Sequence, residues 1–151
     1  MEWLSKYRFG FDFSGLVLFL LVMLPNFIWF AVPAQNDVLR AESATPIVDT
    51  VASVFQVLTI ACLCFVINKE RSQLRFSPLV IAAIVCIAVY YAGWVSYYLG
   101  IANSLVIIIL TIPPCLAFIL FAADRKNIPA ALFATVFVVC HLVFAVANHI
   151  H

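Results

Sequence analysis

Leu24-Pro25-Asn26-Phe27-Ile28-Trp29-Phe30-Ala31-Val32-Pro33-Ala34-Gln35-Asn36-Asp37-Val38-Leu39-Arg40, then Thr45-Pro46-Ile47-Val48-Asp49, then Ser53 and Gln56, form the one region where polar and charged residues enter this chain densely. On either side lie apolar runs about as long as a bilayer core is thick, roughly 20 residues as a helix. Of the 151 residues 66% are hydrophobic and 10% charged, where a soluble domain is nearer half apolar and about a quarter charged. No aqueous core could hide that much apolar surface, so the expected solvent is lipid. The formal net charge of +1 gives no case for a nucleic-acid partner.

Working outward, the pattern predicts an all-α integral membrane protein of five transmembrane helices in one domain, residues 1–151. The spans fall at about Ser14–Val32, Pro46–Ile67, Pro78–Tyr98, Asn103–Ala123 and Ile128–Asn148. Thr45-Pro46 and Ser77-Pro78 read as a capping residue followed by proline at the first helical position. Asn103 or Ser104 can cap the fourth span, and Gly100 suits the C-terminal end of the third. Pro25 leaves the Leu21 carbonyl without its helical partner and predicts a kink. Pro113-Pro114 predicts a bend or an unwound turn in the fourth span. Asp124-Arg125-Lys126-Asn127 reads as a tight turn. Before the first span, Trp3, Leu4, Tyr7 and Phe11 share a face at helical spacing, which predicts a short interfacial helix. Residues 1–34 loosely resemble a signal peptide ending at Val32-Pro33-Ala34. The apolar run exceeds the usual 7–15 residues and carries Trp29 late, so it is read as a retained span.

Orientation follows from lysine and arginine. With the N-terminus in the cytoplasm, Lys6, Arg8, Lys69, Arg71, Arg75, Arg125 and Lys126 all lie inside and only Arg40 lies outside. The C-terminus, with His149 and His151, is then outside. Topology in turn sets depth. Asp49, Ser53 and Gln56, at i, i+4 and i+7, share one face in the outer half of span 2. Asn26 lies in the outer part of span 1, and Tyr90 and Trp94 in the outer half of span 3. His141 lies about 13 residues, roughly 20 Å, from the inner end of span 5. Polar residues within a bilayer usually face the bundle interior or a water-filled cavity. The expected site is an outward-facing polar pocket lined by Asn26, Asp49, Ser53, Gln56, Tyr90, Trp94 and His141. Other roles suit the same residues: an interfacial belt for the tyrosines, interhelical hydrogen bonds for Ser53 and Gln56, and a satisfied buried histidine for His141.

Signatures of catalysis are lacking. There is no H-E-x-x-H, G-x-S-x-G, P-loop or glycine-rich dinucleotide fingerprint, and the spans hold no lysine for a Schiff base. Cys62, Cys64, Cys86, Cys115 and Cys140 all fall in apolar runs without a C-x-x-C and read as small packing residues. Neither a catalytic residue, a metal nor a cofactor is expected.

Leu24-Pro25-Asn26-Phe27-Ile28-Trp29-Phe30, Pro33 to Arg40, Thr45 to Asp49, Thr111-Ile112-Pro113-Pro114-Cys115-Leu116-Ala117-Phe118 and Asp124 to Asn127 resemble small, uncharacterised multi-span membrane proteins of Firmicute bacteria, over most of the spans. The resemblance implies a multi-pass protein of a bacterial cell membrane and carries no activity. Length and span count are also similar to the tryptophan-rich sensory/translocator family, but its tryptophan- and proline-rich motifs are missing, so its ligand is not carried over. The leading expectation is binding or transport of a small molecule in the outer pocket. The rival is a non-catalytic accessory, sensor or immunity protein acting through a protein partner, and an intramembrane enzyme comes last.

Overall fold

The structure, a computed structural model, describes residues 5–71 and 73–150. Trp3, Leu4 and His151 of the expectations above therefore lie outside the described residues. Five helices are long and apolar enough to cross a membrane: α1 (Phe13–Ala31), α2 (Pro46–Phe65), α3 (Pro78–Tyr98), α4 (Ser104–Asp124) and α5 (Ile128–His149). Helix α4 is the centre, with 56% of its most apolar stretch buried against 22–28% in the other four. It packs between α3 and α5, α2 packs on α5, and α1 lies between α2 and α3. Large side chains such as Phe27, Val54, Val85, Val95, Leu132 and Val139 cover the outside. That coat far exceeds the few hundred Å² of contiguous apolar surface a soluble monomer carries; it is a surface suited to lipid.

Local chemistry explains where the helices start. Asp12 accepts from the N–H groups of Ser14 (2.9 Å) and Gly15 (3.4 Å) at the head of α1. Ser77 accepts from Val80 N–H (3.2 Å), Asn103 from Val106 N–H (3.0 Å) and Asn127 from Ala130 N–H (3.2 Å). Each satisfies an amide the helix itself leaves unpaired. Thr45 departs from this: Pro46 does open α2, but the Thr45 hydroxyl donates to the Asp49 carboxylate (3.2 Å) instead of accepting from the backbone. Gly100 takes the left-handed conformation (φ +88°) after α3, as a C-terminal glycine does.

From Tyr7 onward the structure corrects the expectation of an interfacial helix, whose Trp3 and Leu4 lie outside the described residues. Tyr7–Phe9 is a strand, β1, paired antiparallel with β2 (Val66–Asn68), Tyr7 opposite Asn68 and Phe9 opposite Val66. Span 2 accordingly ends as a helix at Phe65, two residues short of Ile67. The last carbonyls of a helix lack partners within it. Here Gly10 N–H bonds the Phe65 carbonyl (3.1 Å) and Asp12 N–H the Cys64 carbonyl (2.7 Å). The amides of Gly10 and Asp12 are free to bond there because the chain at those residues is not helical.

At this ribbon end the 124–127 turn is an anchor. Arg125, 4% exposed, pairs with Asp12, its Nε 3.1 Å from Oδ2. Asp124 accepts from the Ser77 hydroxyl. Asn127 donates to the carbonyls of Cys62 and Val66, both at 2.8 Å, so one side chain holds the end of α2 and the start of α5. At Pro113-Pro114, of the bend or unwound turn expected there, the unwound turn is absent and α4 stays helical. At Pro25 α1 is likewise unbroken, and the Leu21 carbonyl that the proline leaves free is taken by the Tyr91 hydroxyl at 2.7 Å. The five cysteines are free thiols within the spans.

Candidate functional site

At the other end, residues 32–45 form a strap across the bundle. Asp37 is its hub. The Trp29 indole N–H and the Tyr97 hydroxyl donate to one carboxylate oxygen (2.8 and 2.9 Å), and Arg40 Nε binds the other (2.7 Å). The Arg40 guanidinium also stacks over the Trp29 ring, 4.8 Å from its centre. Burial alone would raise the Asp37 pKa, but the bonds from Trp29, Tyr97, Arg40 and the Ala34 backbone outweigh it, and the carboxyl sits below its ordinary value. Farther along, Asn36 reaches the Gly100 carbonyl (3.1 Å), and Asn148 accepts from Ala44 N–H (2.6 Å) and donates to Thr45 (3.0 Å). The strap is thereby tied to α1, α3 and α5 before it enters α2.

Beside the strap a cavity of about 310 Å³ opens between α1 and α2 and reaches inward to α4 and α5. It exists because α1 and α2 touch closely only at the ribbon end, where a Cβ on Gly15 would stand 2.4 Å from the Leu63 carbonyl oxygen. Toward the strap the two helices leave room between Met23, Asn26 and Phe30 on one side and Asp49, Ser53 and Gln56 on the other. The helical stripe of α2 thus lines the cavity as one face, with Ala52 set into it.

Of the seven residues singled out from sequence, Asn26, Asp49, Ser53, Gln56, Tyr90 and His141 line this cavity. Asn26 donates to the Tyr90 hydroxyl (2.8 Å) and to the Val22 carbonyl (3.2 Å). Gln56 approaches the Met23 sulfur at 3.8 Å. Ser53 gives its hydroxyl proton to the Asp49 carbonyl (2.8 Å), so only its oxygen faces outward as an acceptor. His141 is stacked between Phe137 and Phe144, with ring centres 5.2 and 6.1 Å away. Leu110, Pro114, Cys115 and Phe118 of α4 form an apolar back wall.

Trp94 lies elsewhere. It lines a smaller chamber of about 180 Å³ beneath the strap, with Trp29, Leu39, Thr111 and His149. That chamber shares Asn26, Leu110, His141 and Phe144 with the main cavity, so the two adjoin. The Trp94 indole is buried there, edge-on to the Tyr90 ring at 6.3 Å. A third hollow of about 440 Å³ lies at the ribbon end, among Tyr7, Asn68, Glu70, Lys126 and Asn127. It is larger, yet its polar groups already bind one another: Lys126 pairs with Glu70 (2.8 Å), and Asn68 and Tyr7 bond the Lys126 carbonyl.

Sequence reasoning did not reach the aromatic sandwich or the strap hub. Phe137, His141 and Phe144 stand at i, i+4 and i+7, so helical spacing alone could have placed both rings with the histidine. The hub of Trp29, Asp37 and Tyr97 joins residues 60 positions apart, and nothing local signals it. Among the described residues no three histidine, cysteine or acidic side chains cluster as a metal site. No protein-family model matches the chain, and neither a curated protein nor a solved structure matches it.

Proposed function

We propose that this chain is a multi-pass protein of a bacterial cell membrane that binds or transports a small molecule in the cavity between α1 and α2, entered from the outer face. The observation that carries this reading is convergence. Polar side chains from four helices, Asn26, Asp49 with Gln56, Tyr90 and His141, line one space backed by the apolar wall of α4. Such groups are costly in lipid and stand where a ligand's polar atoms could compensate them. A volume near the lower end of the about 300–1,000 Å³ typical of ligand sites, with apolar walls and few polar groups, suits a small organic molecule. An orientation with the strap outside is supported by the excess of lysine and arginine at the ribbon end. Mass spectrometry of compounds carried through purification tests the reading. Wild-type protein should retain a compound that Ala52→Trp, which fills the cavity, does not. Equal recovery from both would overturn it.

A further inference from the structure

Resting on that reading, we infer that the cavity takes an organic ammonium compound with a short apolar body, its cationic group held against Asp49. Among the described residues Asp49 is the one carboxylate that lines the cavity, and no lysine or arginine does. Its only side-chain hydrogen bond among the described residues is the one from Thr45, 3.2 Å long. An ionised carboxylate has about four acceptor sites, so most of its capacity is unused within the protein. The charge stands in the first turn of α2, where the helix dipole favours an anion, and among the described residues no lysine or arginine pairs with it.

The walls narrow the class of cation. A bare metal ion would need several oxygen ligands, and the described residues hold no such cluster. Instead Phe30, Tyr90, Phe137 and Phe144 present aromatic rings around the same space. Aromatic faces attract ammonium groups, most strongly where water is excluded. The back wall of Leu110, Pro114 and Phe118 then receives hydrocarbon. An anionic ligand would meet the Asp49 charge with no lysine or arginine among the described residues to offset it.

The test compares octylammonium, octanol and octanoate, binding each to protein in neutral-headgroup detergent. Wild type should prefer octylammonium, and Asp49→Asn should weaken its binding by about tenfold and remove the preference over octanol. Ala52→Trp should abolish all binding, and Val54→Trp, on the lipid-facing side, should abolish none. Should Ala52→Trp fail to fold, Ser53→Phe at the cavity rim closes the same space. Octanoate or octanol binding as tightly as octylammonium, or a preference that survives Asp49→Asn, would overturn the ammonium assignment and leave the cavity standing. If no compound binds, or the cavity-filling variants bind as wild type does, the cavity reading falls with it.

Discussion

The Cα of Gly15 lies against the carbonyl oxygen of Leu63, so close that a Cβ would stand 2.4 Å from it. That contact pins α1 to α2 at one end, and the cavity is what remains between them toward the other. The obstructing atom is backbone, which no rotamer change can move aside. Gly15→Ala should therefore destabilise the protein by about 1–3 kcal/mol through overpacking. Thermal unfolding in detergent measures it. Gly10, which would meet only the end of the Ile67 side chain at 3.0 Å, should tolerate alanine better.

Asp37 makes the strap sensitive to acid. Its folded pKa lies below the ordinary 3.8, so the stability it adds is complete above that value. It is lost as pH falls through the lowered folded value. Asp37→Asn should flatten the acid limb of the stability profile below about pH 4 and lower stability at neutral pH. An unchanged acid limb would show that the Trp29, Tyr97 and Arg40 bonds do not favour the ionised form.

Tyr91 and Pro25 should be coupled. The Tyr91 hydroxyl serves a carbonyl that only the proline leaves free. Tyr91→Phe should cost about 0.6 kcal/mol, the mean for one interhelical hydrogen bond in a membrane protein. In a Pro25→Ala background, where the restored backbone N–H takes the Leu21 carbonyl, the same change should cost less. A double-mutant cycle reads the difference, and additive effects would separate the two residues.

At the ribbon end two ion pairs should behave differently. Asp12 and Arg125 have side chains 10% and 5% exposed, whereas Glu70 and Lys126 are 51% and 52% exposed. Asp12→Ala removes a buried ionic partner of Arg125 together with the cap of α1, and should lower the unfolding midpoint clearly. Glu70→Ala loses a solvent-screened contact, and its midpoint should stay close to wild type. Unfolding midpoints of the two variants decide it.

What could be read from residues alone was what depends on local pattern. Apolar runs locate the helices to within a residue or two, because length and hydropathy are properties of each run by itself. Depth and helical spacing bring Asp49, Ser53 and Gln56 to one face and Asn26, Tyr90 and His141 to meet it. Trp94 shares the depth of Tyr90 but opens onto the smaller chamber, one helical turn toward the strap. The failures share one cause, partners distant in sequence. Tyr7–Phe9 becomes a strand because α2 ends with carbonyls to satisfy, and the strap is ordered by Tyr97 and Asn148. The turn at Asn127 is legible in the sequence, but its burial to 3% exposure and its bond to the Cys62 carbonyl are not, because that partner lies 65 residues away.

If the proposed cavity opens to water on the outer side of a membrane, a thiol placed at Ser53 reacts in intact cells. Ser53 lies seven residues into α2, roughly 10 Å along the helix, where a lipid-facing thiol would not meet a charged, membrane-impermeant reagent. With the native cysteines removed, Ser53→Cys should label, as should Asn36→Cys on the strap. Val54→Cys, facing away from the cavity, should not, nor should Gln73→Cys at the ribbon end. Adding Ala52→Trp should suppress labelling at Ser53→Cys alone. A silent Ser53→Cys beside a labelled Asn36→Cys would contradict the water-filled cavity, and labelling at Gln73→Cys would contradict the orientation on which the account stands.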